Sequence, residues 1–156
     1  MTKFYFLRDD LNQLAANIRE VAERLRAVQQ DMAVSVRQSS ETWHDNFGYE
    51  DGRRQFAMWS RRLSELQEIY SSAVPVEPTM NCERATIGSR VTFEDTDTGN
   101  RRTIRIGSYM SFSNSPDTIS YTAPLGRILL GAARGQELSG VINGRMREYI
   151  VVSVDH

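Results

Sequence analysis

The chain has 156 residues, 40% hydrophobic and 25% charged, enough for one compact domain or two small ones and too little for a large multidomain enzyme. Its positive charge rests on 18 arginines and one lysine, against 20 acidic residues, and a formal net charge of −1 excludes a general nucleic-acid coat. Divided at Pro75, the N-terminal part carries 10 basic and 11 acidic residues and the remainder 9 of each, so neither half is a charged tail.

Met1 to Asp10 lacks the apolar stretch of a signal peptide, and no 18-residue apolar run follows, so a soluble protein is expected. From Leu7 the apolar residues Leu7, Leu11, Leu14, Ile18, Val21, Leu25, Val28 and Met32 recur at alternating steps of four and three, a heptad seam. No Pro or Gly interrupts Met1 to Phe47, so this pattern predicts one long amphipathic helix. A second seam runs through Tyr49, Gly52, Phe56, Trp59, Leu63, Leu66, Tyr70 and Ala73. Two seams of nearly equal length joined by the polar stretch Ser35 to Asn46 predict an antiparallel helical hairpin over 1–74. The alternatives are two helices of an ordinary bundle, or a dimeric coiled coil. In the hairpin the seams satisfy each other, and a monomer follows.

Val74-Pro75-Val76-Glu77-Pro78 ends the helical pattern, and a linker over 75–84 is expected because proline lacks an amide donor and biases its predecessor towards extended structure. That linker holds the single cysteine, Cys82, which has no internal disulfide partner and no neighbouring His to activate it. A reducing cytoplasm is the matching compartment.

Over 85–156 the period changes to two. Val91 and Phe93, a turn at Asp97-Thr98-Gly99-Asn100, then Ile104 and Ile106 predict a β-hairpin, and Ile119 and Tyr121 a third strand. Pro124 opens a short helix with Leu125, Ile128 and Leu129 on one face, and Gly131 stops it. Two strands flanking an Asn143-Gly144 type I′ turn complete the pattern, with Met146, Ile150, Val152 and Val154 expected on one face. The fold class is therefore α+β: a helical hairpin, then a small antiparallel sheet with one short helix.

The run Ser120-Tyr-Thr-Ala-Pro-Leu-Gly-Arg-Ile-Leu-Leu-Gly-Ala-Ala-Arg-Gly-Gln-Glu-Leu138 resembles the C-terminal signature of the bacterial transcript cleavage factors GreA and GreB. Ahead of it, Ile87 to Gly99 resembles that family's "G-x-x-V-x-L-x-D-x-x-T-G" entry into the same domain. The resemblance implies an FKBP-like C-terminal domain that docks on the rim of the RNA polymerase secondary channel. It also implies a coiled-coil finger that reaches the polymerase active centre, near the nascent RNA 3′ end, as an accessory factor rather than an enzyme. No cofactor or metal of the free protein is implied, only the Mg²⁺ of the polymerase. Prolyl isomerase activity does not follow from a similar fold.

The family's tip carries D-x-x-E-N-A-E-Y, and the equivalent run here is Thr42-Trp-His-Asp45-Asn46-Phe-Gly-Tyr49, which keeps Asp45, Asn46 and Tyr49 but has Thr42 in place of the first carboxylate. Glu41, one residue earlier, can supply an oxygen instead. Carboxylates are the hard ligands that a loosely held Mg²⁺ needs, which makes Asp45 and Glu41 the candidate site pair. The bland readings are a helix cap for Asp45 and a solvated loop residue for Glu41. His44, beside Asp45, is either a base that titrates near neutral pH or, as a lone His in a polar loop, a solvated residue. Trp43 either stacks on a base or folds back on Phe47, and Arg53 and Arg54 either face RNA or the channel wall or form a solvated face. Two functions follow: stimulation of cleavage of backtracked RNA, or occupation of the channel that modulates or inhibits transcription without cleavage. A coiled-coil adaptor unrelated to polymerase is the third reading.

Overall fold

The computed structural model describes residues 2–39, 47–80 and 83–156. The elements in order are β1 (Phe4–Leu7), α1 (Arg8–Ser39), α2 (Phe47–Ser71), β2 (Ala73–Val76), β3 (Arg90–Asp95), β4 (Arg101–Gly107), β5 (Thr118–Ser120), α3 (Pro124–Leu129), β6 (Glu137–Ile142) and β7 (Arg145–Asp155). They form two compact units: a helical unit, Asn12–Ser72, and a β unit built from Met1–Leu11 together with Ala73–His156.

In the helical unit the heptad seam is the buried stripe. Leu14, Val21 and Val28 of α1 are buried, Leu66 and Gly52 of α2 likewise, and Ile18, Leu25, Phe56, Trp59 and Leu63 are half-buried between them. The helices run antiparallel. Gly52 packs on Met32, while Arg24, eight residues back along α1, lies over the ring of Trp59, seven residues forward along α2. Asp9 and Asp10 in the first turn of α1 and Arg37 in its last complement the helix dipole. At 32 residues α1 is about 48 Å long. Tyr70, expected in the seam, is 46% exposed, because Ile69 takes the covered position beside Leu66.

The boundary of the helices differs from the expected one. Leu7 is a strand residue, since Phe4-Tyr5-Phe6-Leu7 is a β-prone run whose backbone pairs in parallel with Ala73–Val76. Part of the expected N-terminal segment, and Pro75 and Val76 of the expected linker, therefore belong to the β unit. Pro75 is tolerated because a two-stranded sheet consists only of edges.

The larger sheet has strand order β5-β4-β3-β7-β6. It is antiparallel, as expected, except at one edge, where the three-residue β5 runs parallel to β4. The two turns read from sequence are present. Gly99 has φ 72°, with Asp95 Oδ1 accepting the Asp97 and Thr98 amides, and Asn143 and Gly144 both have positive φ, as a type I′ turn requires. The core holds Val91, Phe93, Ile104, Ile106, Leu125, Leu129, Tyr149 and Val151, with the Phe93 and Tyr149 rings edge to face at 5.0 Å.

The expected inner face of β7 is corrected. Tyr149 and Val151 face the core, whereas Met146 is 63% and Ile150 37% exposed. A bulge opposite Thr92/Phe93 then shifts the register, so that Val154 returns to the core side.

Candidate functional site

Glu41, Trp43, Asp45 and Asn46, with Thr42 and His44, lie outside the described residues. Three residues of the expected tip are described, all on α2. Tyr49 is half-buried, one turn before Gly52 on the seam side, and Arg53 and Arg54 are exposed. Seam and exposed side are set by close packing at Gly52, where a Cβ would lie 2.5 Å from Met32 Cγ. Further along, Arg61 and Arg62 share Glu65 at 3.2 and 3.9 Å, so part of the positive charge of α2 is answered within the helix. Among the described residues no group of three or more His, Cys, Asp or Glu side chains is placed to hold a metal ion, and no helix is long and apolar enough to cross a membrane.

The signature segment has a clear physical basis. Ser120, at the end of β5, donates its hydroxyl to the Tyr109 carbonyl at 3.1 Å, pairs with the Thr122 hydroxyl at 2.9 Å, and accepts the Thr122 amide. Its carbonyl accepts the Ala123 amide at 3.0 Å, which turns the chain into α3 at Pro124. Gly126 is buried directly against the Ser120 carbonyl, and a Cβ there would overlap backbone. Gly131, at φ 81°, donates its amide to the Ala85 carbonyl, and Ala85 donates to Ala132, which closes the segment onto the start of the domain.

One polar site escaped the sequence reading. Ser108, fully buried at the end of β4, accepts the Leu7 amide at 2.8 Å and donates to Asp10 Oδ2 at 2.6 Å. Tyr109 donates its amide to the Tyr5 carbonyl, and its ring meets Phe4 at 4.3 Å and Phe6 at 6.2 Å. Tyr5 donates its amide to the Tyr121 hydroxyl at 3.1 Å. The N-terminal strand is thereby fastened to the segment that carries the signature. Four aromatic or aliphatic residues in a row at Phe4 to Leu7 were the available signal, but the heptad spacing absorbed Leu7 into the helix.

An antiparallel helix pair and a mixed five-stranded sheet with one short helix define an α+β protein of two units. Residues 80–156 match the family model described as transcription elongation factor, GreA/GreB, C-term. The transcription elongation factor GreA of Syntrophobacter fumaroxidans is 32% identical over 121 residues, covering 74% of this chain and 77% of that one. GreA of Paracoccus denitrificans is 26% identical over 157 residues, covering 99% and 98%. Among solved structures, the GreA factor homolog 1 protein of Thermus thermophilus is 25% identical, with a TM-score of 0.44 over 99% of this chain and 100% of that one. The chain belongs to the GreA/GreB family of transcription elongation factors.

Proposed function

We propose that this protein is an accessory factor of RNA polymerase that enters the secondary channel with its helical hairpin and stimulates cleavage of backtracked RNA. The observation that carries this reading is the antiparallel pairing of α1 and α2, which leaves Ser40 to Asn46, with Glu41 and Asp45, as the connection between them. A paired hairpin with a polar connection encloses no substrate and suits insertion into a cavity. When bound in the polymerase, Mg²⁺ would supply an activated water for phosphodiester hydrolysis. Asp45 and Glu41 contribute oxygen ligands that help retain that ion, and Arg53 and Arg54, exposed on α2, offer positive charge to the RNA or the channel wall. Trp43, Asn46 and Tyr49 complete the polymerase-contacting set. In this reading the free chain is a cytoplasmic monomer with no cofactor of its own.

A second reading rests on Thr42, which stands where the family has its first tip carboxylate: the protein occupies the channel and modulates or inhibits transcription without promoting cleavage. Single-turnover cleavage of a defined backtracked complex separates the two. In the first, Asp45→Ala abolishes stimulation while binding to core polymerase is kept, Glu41→Ala causes a smaller loss, and Thr42→Asp changes little. In the second, the wild type is weak and Thr42→Asp raises the rate more than about tenfold, or about 1.4 kcal/mol of barrier. Strong wild-type cleavage indifferent to Asp45→Ala overturns the metal-ligand role of the tip.

A further inference from the structure

The inner face of the large sheet runs on beyond the helix that covers it. Gly140 of β6 sits under Ile128 of α3, and α3 is only six residues long. Beyond its first residues the inward positions change character. Along β7 the series that reads Val151, Tyr149 in the core continues as Arg147 and Arg145, and on β4 Arg102 stands opposite Phe93, on the same face as buried Ile104 and Ile106. These guanidiniums rim a cleft of about 560 Å³ whose floor is formed by Phe93, Leu125 and Tyr149. That size lies within the range of small-molecule sites.

Charge and chemistry narrow the occupant. Three arginines and one carboxylate, Asp95, line the cleft, leaving two positive charges in excess. Asp95 is already engaged: Oδ1 accepts the amides of Asp97 and Thr98, and Oδ2 lies 3.6 Å from Arg147 Nη1. Among the described residues Arg102 donates to the Pro116 carbonyl at 3.3 Å, and Arg145 has no ion-pair partner. Arginine forks bind phosphate oxygens bidentately, and a phosphate monoester near neutral pH carries about −1.5 to −2 charges, which matches the excess where a monoanionic carboxylate does not. The hydroxyl of Tyr149, held above its ordinary range by burial and then by the negative charge of Asp95, stays a proton donor beside these groups. The apolar floor favours a ligand with an apolar or aromatic body.

We propose that this cleft binds a small organic phosphate monoester, its phosphate between Arg102, Arg145 and Arg147 and its apolar body on Phe93, Leu125 and Tyr149. The site lies wholly in the β unit and is independent of what the helical unit does.

The test is a ¹H–¹⁵N correlation titration of the full chain with phenyl phosphate, with inorganic phosphate as the headgroup alone. The expected result is saturable shifts at the amides of Asn100, Arg102, Asn143, Arg145 and Arg147, with inorganic phosphate about tenfold weaker for want of the apolar contact. Arg145→Gln, an exposed position that folding tolerates, should weaken phenyl phosphate about tenfold, while Arg61→Gln on α2 leaves it unchanged. Absence of saturation, equal affinity for phenyl and inorganic phosphate, or indifference to Arg145→Gln overturns the proposal.

Discussion

Single positions in the β unit are constrained by backbone rather than by side-chain chemistry. Gly126 is the clearest, because its Cα faces the Ser120 carbonyl and the backbone of Tyr121, neither of which can move without pulling β5 from β4. Gly126→Ala should therefore destabilise the β unit by about 3 kcal/mol, the upper end for overpacking, even though alanine is the better helix former. Urea unfolding followed by the near-ultraviolet tyrosine signal checks it; a change under about 1 kcal/mol would show that α3 shifts freely. Gly52 is a milder case, since what its Cβ would meet is a methionine side chain that has other rotamers.

Among the elements, β1 connects most with the rest of its unit. Phe6 is fully buried and Leu7 nearly so, and the Leu7 amide relies on the buried Ser108 hydroxyl. Burying two such side chains contributes about 3–6 kcal/mol, offset in part by the entropy of ordering the strand. Removal of residues 2–7 should thus lower the stability of the β unit by about 2 kcal/mol or more, read from the denaturation midpoint. Ser108→Ala should reproduce about 1–3 kcal/mol of this by leaving the Leu7 amide unpaired. If both variants match the wild type, β1 contributes nothing to that unit. A C-terminal fragment starting near Asn81 lacks β1 and β2 altogether and is the less stable piece for that reason.

The whole molecule consists of two units with separate hydrophobic interiors, so a single unfolding free energy does not describe it. Val21 is 5% exposed in the middle of the α1 seam. Val21→Asp places an unpaired carboxylate there, at a cost of several kcal/mol, about 3 or more. Circular dichroism at 222 nm should show the helical transition moved to lower temperature, while the amide resonances of β3, β4 and β7 keep their positions. Loss of both sets together would mean that the units unfold as one.

Sequence alone determined the features that depend on local period and local backbone geometry. Heptad spacing marked both helices and their shared seam because one face must leave water every 3.5 residues, and Asn143-Gly144, Asp97 to Asn100 and Gly131 marked turns because few residues adopt those dihedrals. The signature from Ser120 to Leu138 marked the family before any contact was known. Tertiary structure decided what rests on partners distant in the chain. Leu7 fits a heptad and a strand equally well, and only Val76, 69 residues away, makes it a strand residue. The alternation of β7 offered two faces, Met146 and Ile150 or Arg147 and Tyr149, and the apolar content of the first pointed the wrong way. Pairing with β3 and the packing of α3 on the face of Tyr149 and Val151 put these two inside and left Arg145 and Arg147 on the same side, lining the cleft. A period of two fixes that residues alternate; which set is buried is fixed by the surface that covers them.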